Sequence, residues 1–379
     1  MATVRPSARR TALQVCAVAA VTALALASCS TGGGQDVEQA VPEEPTEEPS
    51  SDEPDVSEEV DPASDEPTDD DQDAADDEPA EPPVDPAEVG ADELGVVPIM
   101  MYHQVREDGG SEWDMSPEEF RAELVRLFDL GFVPIRTVDL VRGDIDVPAG
   151  RSPVVLTFDD SPRNQARLDE DGNMAENTAM GILIDVAADY EDVEPVASLY
   201  LITQSMFGAV ADSPDIVRAL HDLGMELGNH THTHANLRSL DGDQVQEELA
   251  RNVAEITDIV PGSEVVTLSL PFGISPEDRD LVAAGQGPSG GYVNEGVLLV
   301  GDRPAPSPFH ADFNPLAIPR IKTLPDPEDE FGSAWWIDVM MSSDTWRPYV
   351  SDGNPATISF PREREDELDP AYADRANPY

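Results

Sequence analysis

Positive charge is what this 379-residue chain most lacks, with 22 Lys and Arg against 78 Asp and Glu and a formal net charge of −56. A field of that sign repels phosphate backbones and excludes nucleic acid as a partner. Its bland reading is solubility, including in a salty medium. Lysine is almost missing: Lys322 stands alone beside 21 arginines, which reads as codon usage in a GC-rich genome rather than as chemistry. Cysteine is scarce too. Cys16 and Cys29 are the only two, and Cys16 lies in a stretch that processing would remove, so an exported domain would fold without a disulfide. No internal repeat marks the chain.

Long apolar runs are limited to one, Thr11 to Ala27, too short for a comfortable membrane span and preceded by Arg5, Arg9 and Arg10. It ends in Leu26-Ala27-Ser28-Cys29, which resembles a bacterial lipobox. That reading makes residues 1–28 a lipoprotein signal peptide and Cys29 the acylated first residue. The chain would then be exported and anchored in the lipid bilayer, on the outer face of the bacterial cell membrane. The alternatives are ordinary secretory cleavage or a retained anchor. Residues 35–95 hold 26 acids and no Lys or Arg. Such a segment cannot bury enough apolar surface to offset its ordering entropy, so 29–95 is expected to be an extended acidic tether.

From residue 96 the composition becomes globular, though still acidic, with 52 acids against 19 bases. Val96 to His103 reads as a buried strand. Ser116, Pro117 and Glu119 open a helix with an apolar face at Phe120, Leu124, Leu127 and Phe128, and Gly131 ends it. Phe132–Ile135, Val154–Phe158, Ala197–Thr203 and Val265–Leu270 read as further strands. Helical patterns surround Ile182 to Ala187, Ile216 to Leu223 and Val245 to Ile259. Strands alternating with helices at this spacing predict an α/β domain with parallel strands, over 96–361. A charged tail, 362–379, is expected to fray. Trp335, Trp336 and Trp346 read slightly better as packing than as sugar-stacking surfaces.

Chemistry-bearing residues stand just after the predicted strands, the working face of parallel α/β barrels. Leu156-Thr157-Phe158 ends in Asp159-Asp160, and Gly228-Asn229 leads into His230-Thr231-His232-Thr233-His234. Histidines four apart can face one point from a helical turn or tight loop. One carboxylate with two imidazoles is a donor set for a zinc-type ion that leaves a position for water. A metal at Asp160 would relieve repulsion between the paired aspartates and leave Asp159 to act as a base. His232 is expected to point away. A tag-like surface run is the rival reading of the histidines.

These motifs resemble those of the polysaccharide deacetylases with a NodB-homology domain, carbohydrate esterase family four. Thr157-Phe158-Asp159-Asp160 is similar to the family's first motif, which implies Asp159 as catalytic base and Asp160 as metal ligand. His230 to His234 is similar to the second, implying His230 and His234 as the other ligands of one divalent ion, zinc first, with cobalt, nickel or manganese possible. Leu270-Pro271-Phe272-Gly273 is similar to the third, in which the Phe272 amide would hold the oxyanion. The resemblance spans roughly 96–325 and implies a distorted (β/α)₇ barrel acting on an acetylated polysaccharide.

Departures are visible. Ser161-Pro162-Arg163 follows the aspartates, the third motif lacks an arginine before its proline, and no histidine follows His310. Pro98 to His103 resembles the opening strand of a subgroup that includes poly-N-acetylglucosamine deacetylases. That likeness makes His103 the proton donor, against a structural histidine as alternative. Arg320, in Ile318-Pro319-Arg320-Ile321, would pair with Asp159 or form a peripheral ion pair. The expected function is metal-dependent removal of N-acetyl groups from a surface or extracellular glycan. An O-acetyl ester hydrolase and a non-catalytic glycan-binding lipoprotein are its rivals.

Overall fold

The computed structural model describes residues 84–379. The signal peptide, Cys29 and most of the expected tether lie outside the described residues. Eight parallel strands form the central sheet: β1 (Ile99–Tyr102), β2 (Phe132–Ile135), β3 (Ser152–Phe158), β4 (Ser198–Leu201), β5 (Glu226–Asn229), β6 (Thr267–Ser269), β7 (Gly296–Leu298) and β8 (Ile321–Lys322). Their order is β7-β6-β5-β4-β3-β1-β8, with β2 beside the first half of β3. β3 is buried at every position, and its run of Val154, Val155 and Leu156 suits a strand covered on both faces.

The sheet curls until its edges meet. Leu298 bridges Ile318 in parallel, and three residues later Ile321 pairs with Met100 of β1. The short segment 318–322 therefore spans both edges of a seven-strand ring, matching the distorted barrel that the motifs implied.

Among the described residues, six helices longer than one turn accompany the barrel: α1 (Pro117–Asp129), α2 (Thr137–Arg142), α3 (Ala179–Ala187), α4 (Ser213–Asp222), α5 (Gly242–Ile259) and α6 (Ser333–Ser342). α1 begins at the Ser116 cap read from the sequence, and the structure completes it as a capping box. Ser116 Oγ accepts the Glu119 amide at 3.2 Å and Glu119 Oε2 accepts the Ser116 amide at 2.9 Å. Its face of Phe120, Leu124, Leu127 and Phe128 is buried against the sheet's core. Trp336 of α6 is also core, its indole N–H donating to Asp302 O at 2.7 Å. Packing is the reading that holds for this tryptophan.

Two boundaries differ from expectation. Residues 84–95, assigned to the tether, are folded, and so is the tail 362–379. Ala91 and Leu94 are buried, Arg364 Nη1 donates to Asp92 Oδ2 at 2.6 Å, and Tyr379 Oη donates to Ala91 O at 2.8 Å. Ile358–Phe360 pairs in parallel with Ala376–Pro378. Composition averaged over the acidic stretch hid the two apolar anchors at its end, and the tail's arginine neutralises one of its acids. Among the described residues no helix is long and apolar enough to cross a membrane.

Glu93 sits at the centre of this seam. Its carboxylate accepts from Ser359 N at 2.7 Å and Tyr349 Oη at 2.9 Å while only 2% exposed. Burial, reinforced by the charge of Asp352, pushes its pKa up to about 7. The folded state thus holds this proton more tightly than the unfolded chain. Stability from Glu93 is full below its ordinary value of 4.5, falls as pH rises through about 7, and is flat beyond. Glu93→Gln keeps an acceptor for Ser359 and a partner for Tyr349. Urea denaturation at pH 5 and pH 8 should show the wild type losing more stability than the variant over that interval, by up to roughly 3 kcal/mol. Parallel losses in both proteins would mean that Glu93 is ionised throughout.

Candidate active site

Apart from Arg320, which precedes β8, the predicted site residues among those described stand just past the carboxyl ends of barrel strands. Asp159 and Asp160 follow β3, His230 follows β5, His103 follows β1, and Phe272 lies three residues beyond β6. They line one cleft of about 270 Å³, together with Trp113, Asp114, Leu270 and Val300. Barrel closure brings segments from residue 103 to residue 300 to a single point.

Asp159 is 2% exposed and held by Arg320, whose guanidinium is fully buried. Nη1 donates to Oδ1 at 2.9 Å and Nη2 to Oδ2 at 2.7 Å, a bidentate pair. Ser269 Oγ adds a hydrogen bond to Oδ2 at 3.0 Å. Burial by itself would raise the Asp159 pKa, but the Arg320 and His230 charges outweigh it and hold the carboxyl well below the usual range. Of the two sequence readings of Arg320, the pairing with Asp159 is the one found, and the guanidinium arrives from the closing segment rather than from the third motif.

Asp160, His230 and His234 offer donor atoms all within 4.8 Å of one another. Asp160 Oδ1 lies 3.4 Å from His230 Nε2 and 3.3 Å from His234 Nε2. Ligands about 2.0–2.1 Å from a tetrahedral ion stand about 3.3 Å apart, so the spacing fits a zinc-sized cation. His230 Nδ1 lies 2.7 Å from Ser269 O, a contact that fixes the proton on Nδ1 and frees Nε2 as a donor atom. His232 turns away, with Nδ1 2.9 Å from Glu255 Oε2 and 3.0 Å from Thr203 Oγ1.

His103 Nε2 is 4.0 Å from Asp159 Oδ2. Burial lowers the His103 pKa, with Asp159 and Asp160 opposing the shift. Phe272 is 58% exposed, and its ring centroid stands 4.6 Å from that of His234. Backbone strain concentrates here: Asp160, Ser161, Thr231, His234 and Phe272 are non-glycine residues at φ of 73°, 48°, 65°, 59° and 60°.

The strain is held by a helix that sequence reading treated only as amphipathic. Glu248 of α5 accepts from Thr233 N at 2.8 Å and from Thr233 Oγ1 at 2.9 Å. Asn252 Nδ2 donates to Thr231 O at 2.8 Å, and Glu255 takes His232. Positions 248, 252 and 255 share one helical face, so a single stripe of α5 grips the whole histidine loop. Gln165 was likewise missed. Its Nε2 donates to Asp159 O at 2.6 Å and also to His103 O, tying together the ends of β3 and β1.

A clamp of this kind should show in metal affinity before it shows anywhere else. Glu248→Ala, which frees Thr233, is expected to weaken zinc binding to the apo-protein by about 10-fold or more. Glu248→Gln can still accept from the amide and donate to the hydroxyl, so it should retain most of the affinity. Competition with a chromogenic chelator measures both, and His230→Ala and His234→Ala serve as the metal-free limit. Equal affinity in Glu248→Ala and wild type would remove the clamp from the account.

Residues 146–287 match the family model described as polysaccharide deacetylase, a span that holds Asp159 through Phe272 but neither His103 nor Arg320. No curated protein matches the chain by sequence. Among solved structures it is similar to the deacetylase PplD of Streptococcus pyogenes in complex with acetate, at 20% identity and TM-score 0.48, over 62% of this chain and 96% of that one. It is similar to IcaB from Ammonifex degensii at 17% identity and TM-score 0.43, over 64% and 97%. A polysaccharide deacetylase from Bacillus cereus is similar at 20% identity and TM-score 0.46, over 60% of this chain and 64% of its own length. The two central motifs lie inside the matched span and the barrel is assembled around them, so the similarity to the polysaccharide deacetylase family is carried by residues 146–287.

Proposed function

We propose that this protein removes N-acetyl groups from an N-acetylglucosamine-type glycan at or outside the cell surface. The observation that carries the reading is the meeting, in one cleft, of an ionised Asp159 locked to Arg320 and a three-residue donor set beside it. A glycan-binding protein needs no buried, oriented base. The acid excess of the domain, 52 against 19 from residue 96, disfavours polyanionic glycans and suits an uncharged amino sugar.

Asp160, His230 and His234 would hold one divalent ion, zinc before cobalt, nickel or manganese, which would polarise the acetyl carbonyl and make water more acidic. Asp159 accepts the proton of the attacking water, its carboxylate aimed by Arg320 and Ser269. The Phe272 N–H donates to the carbonyl oxygen as negative charge develops there. His103 donates a proton to the departing amine.

Acetate release from N-acetylglucosamine oligomers, with and without chelator, tests the activity. Asp159→Asn should abolish turnover of amide and ester alike, because both need an activated water. His103→Ala should lower amide turnover on the order of 10²-fold, the usual scale for a lost general acid. An aryl acetate, whose leaving group needs little protonation, should suffer far less. Equal losses on both substrates with metal retained would make His103 structural, and an ester preference in wild type would favour the O-acetyl reading.

We also propose that Cys29 is acylated, so that the acidic segment holds the domain away from the outer face of the membrane. Cys29→Ala should shift the protein from the membrane to the soluble fraction. Intact mass of the wild type showing an unmodified terminus at another residue would defeat the proposal.

A further inference from the structure

The cleft is lined by a second aromatic side chain besides Phe272, one that the proposed chemistry does not use. Trp113 lines it, its ring centroid 5.0 Å from that of His103. The residue does not belong to the barrel. It rides on the loop between Gln104–Val105 and Asp114–Met115, two short segments paired in parallel. The loop is ordered from within. Asp114 Oδ2 accepts the amides of Gly110 at 2.9 Å and Ser111 at 3.3 Å, and Oδ1 accepts the Ser111 hydroxyl at 2.9 Å.

It is also pinned from the barrel. Lys322, the last residue of β8 and the chain's single lysine, puts Nζ 4.2 Å from the Trp113 ring centroid and donates to Glu112 Oε2 at 2.6 Å. An ammonium over an indole face is attracted by the ring quadrupole, and the ion pair to Glu112 anchors the neighbouring residue. The lone lysine that composition assigned to codon usage thus fixes an aromatic side chain at the mouth of the cleft.

We propose that Trp113 is a specificity-determining residue of this site, the platform against which the apolar face of the acetylated pyranose lies, with Lys322 holding the indole in place. The proposal rests on the deacetylase reading. A cleft of about 270 Å³ is below the usual range for drug-sized ligands and matches one sugar ring with its acetyl substituent. An indole offers a large, rigid, apolar surface at low entropic cost, which suits the C–H face of a pyranose. Lys322 is engaged with Glu112 and the indole outside the cleft lining, and the charged groups that line the cleft beside the histidines are Asp114, Asp159 and Asp160. The wall therefore selects by ring shape and not by recognition of an anionic substituent.

Kinetics of Trp113→Ala, Trp113→Phe and Lys322→Met on an N-acetylglucosamine pentamer and on 4-nitrophenyl acetate test the assignment, with thermal melting as a check on folding. Trp113→Ala should raise KM for the pentamer about fivefold to tenfold more than it affects the aryl acetate, which has no sugar to place. Trp113→Phe should recover most of that loss, and Lys322→Met should fall between. An unchanged KM for the pentamer, or equal losses on both substrates, would overturn the platform and leave Trp113 as support for His103. If wild type releases acetate from neither substrate, the deacetylase reading has failed, and calorimetric binding of the pentamer decides the platform separately. Weaker binding by Trp113→Ala than by wild type supports it; equal binding, or none by wild type, overturns it.

Discussion

The buried pair of Arg320 and Asp159 is the contact on which both barrel and site depend. A guanidinium has five N–H donors, and here all five are engaged. Nε donates to Leu299 O at 2.8 Å, Nη1 to Thr157 Oγ1 at 3.1 Å and to Asp159, and Nη2 to Asp159 and to Ser269 Oγ at 3.0 Å. Those partners belong to β3 and the residue after it, to β6 and to the chain just past β7, while Arg320 itself precedes β8. One side chain thus links the strands across the ring at the place where the sheet closes. Burying two charges is costly, and the geometry must be this complete for the pair to be tolerated. Removing one partner from such a pair typically costs about 3–5 kcal/mol, because the other charge is left stranded. The guanidinium reaches Asp159 from a position some fifty residues beyond Pro271 in the chain.

A second constraint follows from that rigidity. The donor set lies where the backbone leaves the strands, and Asp160, Thr231 and His234 reach it only by adopting positive φ. Left-handed conformations at non-glycine positions persist when the surroundings over-determine them. The barrel supplies one side of that support through Ser269 O on His230, and α5 supplies the other through Glu248, Asn252 and Glu255. Donor atoms are thereby brought close before any ion arrives, which lowers the reorganisation that binding would require.

What the sequence disclosed and what it hid divide along chain separation. Asp159-Asp160 and the histidine run were legible because each is a local pattern at the end of a recognisable strand. The barrel was legible because alternation of strand and helix is a periodic signal. The clamp was not: Glu248, Asn252 and Glu255 look like the solvated face of an amphipathic helix, and only the path of the loop shows what they hold. Trp113 gave no signal, since its meaning depends on Lys322, more than two hundred residues away. The tether boundary failed for a different reason. Composition is an average, and Ala91 with Leu94 is too small an apolar content to register within an acidic stretch until Arg364 and Tyr379 fold back upon it.

His103 joins these threads. Its Nδ1 is buried and makes no hydrogen bond among the described residues, while Nε2 faces Asp159 and the cleft. Proton exchange with the site must therefore pass through Nε2, the same atom that stands 4.0 Å from Asp159 Oδ2. Gln165 donates to the backbone carbonyls of both residues, so the strand ends carrying them move as one unit. A base and an acid acting on one substrate, the roles proposed for Asp159 and His103, need a fixed separation more than they need individually tuned environments. The long polar segment after Asp160 carries the Gln165 amide that ties the two strand ends together. In the proposed roles, the opening strand brings the acid and the polar segment holds it in register with the base.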